Sequence, residues 1–186
     1  MARFLGFALI FVTVVIVAVA FVVPKVFLSS AYASERSTEI AAPAAEIHAV
    51  ISDLTTWKEW TVWNEEIDPT VEYTYLGEPG QVGQTMKWVG EDLGEGAMTI
   101  QSLSDERVTY TLEFTGMAPA NVEFELAAKG EGTAVRWAMS GEMEGPLPMR
   151  WFALLMDTLN GPAFEQGLAN LKERFEGAAA PGGGDA

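Results

Sequence analysis

The sequence predicts an α+β fold in which a curved antiparallel sheet of about seven strands wraps a long C-terminal helix, with two short helices after the first strand. Three observations carry this. From Val71 to Gly141 apolar residues recur at every second position, the period of strands with one buried face and one wet face. From Phe152 to Phe175 they recur at a near-3.6 spacing, the period of a helix with one apolar stripe. Ahead of both, a β-like stretch at Thr38–Ala41 leads through Pro43, a residue suited to a first helical turn, into Ile47, Val50, Ile51 and Leu54 at helical spacing.

The first element precedes this domain. Phe4 to Val23 is an unbroken apolar run with one Thr, one Gly and no charge. As a helix it reaches about 30 Å, the thickness of a bilayer core. A cleaved signal peptide has an apolar region of about 7–15 residues followed by a small-x-small site. Ala31-Tyr32-Ala33 offers such a site, but the run is longer and Pro24-Lys25 ends it well before Ala33. The favoured reading is a transmembrane anchor over residues 1–28 and a tether over 29–35. Arg3 and Lys25 flank the run on opposite sides, so the positive-inside rule decides little. The expected placement is a single-pass membrane protein with its amino terminus inside and its domain on the extracytoplasmic (bacterial periplasmic) side.

The domain proper is read over residues 36–176. After the first short helix, "DLTTWKEWTVW" places Trp57, Trp60 and Trp63 three residues apart. On a helix they span about 120° of one face. Asp53 or Thr55 is a suitable cap. Asp68-Pro69 ends the segment. Six strands follow, aligning Val71 with Tyr73 and Tyr75, Met86 with Trp88, Met98 with Ile100, Val108 with Tyr110, Leu112 and Phe114, Val122 with Phe124 and Leu126, and Val135 with Trp137 and Met139. "GEPGQ", "EDLGEG", "SDER" and "AKGEGT" separate them as hairpin turns. The last helix carries Phe152, Leu155, Leu159, Phe164, Leu168, Leu171 and Phe175 as its stripe, and Gly161-Pro162 predicts a kink or break within it. The Gly/Ala-rich tail, 177–186, is expected to be disordered.

Charge and composition exclude several classes. The chain has 11 basic and 26 acidic residues, and Arg3 and Lys25 precede residue 35 while no acid does, so the remainder from residue 35 on holds 9 basic and 26 acidic residues, a formal −17. Nucleic-acid binding needs basic patches that displace counterions, and anionic headgroups attract polybasic segments, so neither partner is expected. With no cysteine there is no disulfide, thiol nucleophile or thiolate metal site.

The stretches "ERSTEIAAPAAEIHAVISDLTTWKEWTVWNE", "YLGEPGQVGQTMKWVG", "GEGAMTIQS", "RVTYTLEF", "GEGTAVRWAMSGEM" and "GPAFEQGLANLKERFE" resemble the START/Bet v 1-like (SRPBCC) superfamily, in its polyketide cyclase/dehydrase-type branch. The resemblance covers about 36–176. It implies a helix-grip fold with a cavity between sheet and C-terminal helix for a small apolar ligand, a lipid, quinone or isoprenoid-like molecule. It also places the Trp segment near the cavity mouth, with Trp57 and Trp60 closing one end of the grip and Trp63 at its edge. The superfamily includes carriers, binders, aromatase/cyclases and hydrolases, and no catalytic motif is matched residue by residue.

Candidate site residues follow from the inward strand phases and the helix stripe. They are Trp57, Trp60, Met86, Trp88, Met98, Tyr110, Phe114, Phe124, Trp137 and Met139, with Phe152, Leu155, Met156 and Leu159 from the helix. Such residues serve equally as packed core or as an adaptable pocket wall. The layout favours the pocket. Tyr110, Trp88 and Arg150 are its candidate polar hooks. His48, the only histidine, sits beside an apolar helix face with no nucleophile placed near it and reads as a boundary residue. The acidic pairs Glu65-Glu66, Glu91-Asp92 and Glu142/Glu144 read as solvated loops, and Gly77, Gly80 and Gly83 as a hairpin turn without the dinucleotide-binding spacing. No cofactor or metal is expected. Two further readings stay open beside the ligand carrier: an interaction module of an envelope complex with a protein partner, and an enzyme acting on aromatic or polyketide-like substrates.

Overall fold

The computed structural model describes residues 2–143, 145 and 147–177. Its sheet has seven strands: β1 (Ala31–Ile40), β2 (Glu72–Leu76), β3 (Thr85–Gly90), β4 (Gly94–Ser104), β5 (Arg107–Phe114), β6 (Ala120–Lys129) and β7 (Gly132–Glu142). They lie in the order β1-β7-β6-β5-β4-β3-β2, every pair antiparallel. Strands β2 to β7 form a continuous meander, and β1 closes on β7 from the far edge. The expected seven-stranded sheet is therefore present.

Alternation explains which face is inside. Along β6, Ala120, Val122, Phe124 and Leu126 are buried, and along β7, Thr133, Val135, Trp137 and Met139. The opposite phase is charged. Arg136 bridges Glu35, Glu123 and Glu125 on the outer face, as surface ion pairs that add little stability but keep that face wet. Register slips once, between Ile100 and Ser102 of β4, where a bulge bends the sheet.

Ahead of the sheet lie α1 (Ala2–Val17), a π turn (Ala18–Val22) and α2 (Val23–Phe27), following one another without intervening residues. Pro24 lacks the N–H that the Ala20 carbonyl would accept, and the π turn precedes it for that reason. Among the described residues, no single helix is long and apolar enough to cross a membrane. β1 begins at Ala31, so residues 31–35 of the expected tether are sheet. Its inner residues Tyr32, Ser34 and Arg36 are not aliphatic, which hides the alternation.

The crossover from β1 to β2 carries two short helices, α3 (Ala44–Ser52) and α4 (Trp57–Trp60), joined by a 3₁₀ turn at Leu54–Thr56. Their junction is fully bonded. Asp53 Oδ1 accepts from the Thr55 N–H and hydroxyl, and the Ile51 carbonyl at the end of α3 accepts from both Trp57 Nε1 (2.9 Å) and the Tyr110 hydroxyl (2.6 Å). Buried Gln84 accepts from the N–H groups of Leu54 and Gly80 and donates to Asp53. Orphan groups at these helix ends thus find side-chain partners, as burial requires. The Trp helix is shorter than predicted. It ends at Trp60, whose carbonyl accepts from Asn170, so Trp63 stands on irregular backbone.

The C-terminal helix α5 (Arg150–Glu176) runs on through Gly161-Pro162 without a break. Arg36, on the inner face of β1, lies against it at Gly161. It donates to Asp157 (2.9 Å) and Glu165 (2.6 Å), one turn to either side. A Cβ at Gly161 would run into that guanidinium, so the glycine is there for close approach rather than for a break. The tail from 178 to 186 lies outside the described residues, as does Glu144.

Candidate functional site: an apolar cavity between sheet and helix

A partly enclosed cavity of about 360 Å³ lies between the inner face of the sheet and α5. Met86 and Trp88 of β3, Met98 of β4, Leu112 and Phe114 of β5, Val122 of β6, and Trp137 and Met139 of β7 form the sheet wall. Met156, Asn160 and Phe164, spaced four apart on one face of α5, form the helix wall. Trp57 and Trp63, and Met117 and Ala118 of the β5–β6 turn, also line it.

Two devices shape the sheet wall. Trp88 pairs across β3–β4 with Gly96, and its ring lies over that glycine to meet Phe114 edge-on at 5.4 Å. A Cβ at Gly96 would meet both the ring and the Glu113 carbonyl oxygen, at 2.6 Å. The turn after β3 is held by buried Asp68, whose carboxylate accepts from the backbone N–H groups of Thr70, Asp92 and Leu93, all at 2.9 Å, and from the Thr70 hydroxyl at 2.6 Å. These bonds, that from Leu93 foremost, pull its pKa down to about 2. Asp68 is a structural acceptor that sets Asp92 and Leu93 in the wall.

An aromatic stack joins the wall to the core. Trp137 is sandwiched between Phe164 (centroids 4.2 Å apart, 7° between planes) and Phe124 (5.0 Å, 28°), and Trp57, Trp60 and Trp63 meet it edge-on. Such pairs add to the burial of their own area.

The structure divides the sequence-derived candidates into three groups. Trp57, Met86, Trp88, Met98, Phe114, Trp137, Met139 and Met156 line the cavity. Trp60, Tyr110 and Phe124 lie outside its wall as fully buried core. Phe152, Leu155 and Leu159 are 50%, 50% and 62% exposed, on the face of α5 turned away from Met156, Asn160 and Phe164. The expected hooks are all engaged elsewhere: Tyr110 by Ile51, Trp88 Nε1 by the Leu93 carbonyl at 3.4 Å, and Arg150 by the Leu28 carbonyl. Trp63, expected at the edge of the grip, lines the cavity, whereas the sequence pattern does not reveal Asn160, a polar residue off the apolar stripe, or Tyr73 as wall residues.

The ionisable rim is subdued. Lys58 is paired with Glu65 at 2.6 Å, which raises its pKa. Burial, with help from Glu65, pushes Tyr73 up to about 12, and its hydroxyl donates to the Trp63 carbonyl at 2.8 Å. His48 is not part of the wall. Among the described residues, no group of three or more His, Asp or Glu is placed to hold a metal ion.

A curved antiparallel sheet gripping one long helix, with an apolar hollow between them, defines a Bet v 1-like helix-grip domain. The chain belongs to the family described as polyketide cyclase / dehydrase and lipid transport, which matches residues 33–176. No curated protein matches it in sequence. Among solved structures it is similar to a protein of unknown function from Staphylococcus aureus (TM-score 0.64, 13% identity, 82% of this chain and 98% of that one). It is similar also to a Thalictrum norcoclaurine synthase point mutant bound to a transition-state analogue (0.60, 14%, 82% and 98%). A third is the Aha1 dimer from Colwellia psychrerythraea (0.54, 19%, 77% and 96%). At these identities the likeness is one of fold.

Proposed function

We propose that the protein is a membrane-tethered binder or carrier of a small apolar molecule, a lipid, quinone or isoprenoid-like compound. The cavity carries this reading: about 360 Å³ walled by Met, Trp, Phe and Leu is within the range of small-ligand sites. Methionines at positions 86, 98, 139 and 156 give that wall side chains that adapt to shape. The family's lipid-transport description agrees with it. The full chain, purified without detergent exchange of its contents and extracted into organic solvent, is expected to release a stoichiometric apolar compound. An empty extract together with no uptake of an apolar fluorophore would overturn the reading.

An enzymatic reading has less support. The wall's lysine is tied to a glutamate, Tyr73 is pushed far from neutral pH, and Asp92 is the carboxylate an acid–base mechanism would have to use.

The tether rests on three observations. The segment Phe4–Val23 is apolar and uncharged, α1, the π turn and α2 are contiguous, and Arg150 at the start of α5 donates to the Leu28 carbonyl just past α2. Phe152, Leu155 and Leu159 are exposed apolar side chains near the start of α5 that a bilayer would cover. A cysteine-free chain makes placement measurable. Glu131→Cys, at an exposed position in the β6–β7 turn, is expected to react with a membrane-impermeant maleimide in intact cells. Reaction only after lysis would put the domain inside, and recovery of the chain without membranes would remove the tether. Crosslinking of a Leu155→Cys chain to one defined protein would favour the interaction-module reading for that face.

A further inference from the structure

The cavity opens at one end of the sheet. The turns between adjacent strands give it Asp92 and Leu93 (β3–β4) and Met117 and Ala118 (β5–β6). Both turns lie at the end where β1 begins and β7 finishes, since Tyr32 pairs with Gly141, Gly141 with Ala120, Ala120 with Leu112 and Leu112 with Met98. The turns at the opposite end, 77–84, 105–106 and 130–131, contribute nothing to the lining. Three lining residues are exposed, Asp92, Phe114 and Met117, and all three belong to the first end.

The N-terminal apolar run is fixed to that same end. The Met143 N–H donates to the Ser30 carbonyl (2.8 Å), just past the β1–β7 ladder, and Arg150 donates to the Leu28 carbonyl (3.0 Å). The 3₁₀ turn Leu147–Met149 packs against the π turn and α2. Helix α5 also starts here and finishes at the far end, where Glu176 accepts from the Ala41 N–H. Its first turns expose Phe152, Leu154 and Leu155.

Charge sets this surface apart. No Asp or Glu occurs in residues 1–34, 114–122 or 145–156, although the remainder of the chain holds 26. Arg150 and Trp151, at the head of α5, are of the types that anchor proteins at bilayer interfaces. Glu91 and Asp92 mark the β3–β4 side of the mouth as its wet side. An apolar, acid-free surface continuous with an uncharged apolar run fits a zwitterionic lipid surface.

We propose that this end of the domain sits in the bilayer interface, with Met117 and the first turns of α5 in lipid, so that the cavity opens onto the membrane and its ligand enters laterally. This rests on the tether and on the apolar-ligand reading of the cavity. The ligand then passes from lipid to protein without exposing its apolar surface to water, the unfavourable step for a long-chain molecule.

The test uses the full cysteine-free chain in phosphatidylcholine nanodiscs. Met117→Cys, Leu155→Cys and, from the opposite end, Glu131→Cys each carry a small polarity-sensitive fluorophore. Discs are made with and without phosphatidylcholine bearing a nitroxide at the shallow end of one acyl chain. Probes at 117 and 155 should emit at shorter wavelength and lose most of their emission to the nitroxide, and the probe at 131 should keep it. Entry is followed with an alkylnaphthalene added in the disc lipid, read by energy transfer from tryptophan. Met117→Glu, at an exposed turn position, should load several-fold more slowly than wild type with an unchanged thermal midpoint. Absence of quenching at either 117 or 155 in a chain retained by the discs overturns this inference alone. So does shielding that nitroxide lipid does not quench, as when a second copy covers the face, and so does unchanged loading of M117E. A chain that leaves the discs removes the tether, and a wild type that takes up no probe removes the cavity reading; either takes this inference with it.

Discussion

The two halves of α5 obey the same helical period and reach opposite outcomes. In the C-terminal half the apolar residues Phe164, Leu168 and Leu171 face the sheet and are buried. In the N-terminal half the more apolar face, Phe152, Leu155 and Leu159, points away, while Met156 and Asn160 face the sheet. One half closes the domain and the other leaves the hollow. Amphipathic periodicity says that a helix has a face; it does not say which side the sheet is on when both sides carry large apolar residues.

The sharpest way to break this contrast is to truncate one residue from each half. Phe164→Ala removes a 1%-exposed ring stacked on Trp137, and should cost about 3–5 kcal/mol in chemical denaturation. Leu159→Ala, on the exposed face, should stay within about 0.5 kcal/mol in the same assay. Similar losses at both positions would mean that the halves are not packed differently.

The helix glycines test the packing from the other direction. At Gly167 a new Cβ would sit 2.9 Å from Trp137 Cζ3, a ring that has no room to retreat, so Gly167→Ala should destabilise by about 1–3 kcal/mol. At Gly161 the atoms nearest a new Cβ are those of the Arg36 guanidinium, the far end of a long side chain that can shift at the expense of its ion pairs. Gly161→Ala should gain about 1 kcal/mol of helix propensity against a weakened Arg36–Asp157–Glu165 contact, and end near neutral. Thermal midpoints of the two variants, measured side by side, check both the sign and the order.

Much of the fold is legible in the amino-acid sequence. Strand alternation is a local property, so β3 to β7 and their inner residues Met86, Trp88, Met98, Trp137 and Met139 can be read directly. The first half of β1 cannot, because Tyr32, Ser34 and Arg36 give alternation no aliphatic signal. Nor can the division between cavity wall and core. Trp60, Phe124 and Trp137 share the same chemistry, and only the seat of α5 decides which of them meets empty space. Asn160 is hidden for a related reason: one amide in an apolar stretch reads as a solvent-facing position until the helix is placed.

The cavity wall remote from α5 allows the mildest test. Asp68 holds the turn carrying Asp92 and Leu93, as α5 holds the opposite wall, but it does so with hydrogen bonds to a carboxylate rather than with buried rings. Its pKa lies at about 2 in the fold, below an ordinary 3.8, so the unfolded chain binds the proton first as pH falls. The stabilisation is therefore complete above the unfolded value and is lost as pH drops through roughly 4 to 2. Asp68→Asn keeps the shape but lacks the charge, and four donors then converge on a side chain with one acceptor oxygen. The thermal midpoint of wild type should exceed that of D68N at neutral pH, and the gap should close over that acidic window. A gap independent of pH would show that Asp68 acts by shape alone, and that the wall facing α5 does not depend on its ionised carboxylate.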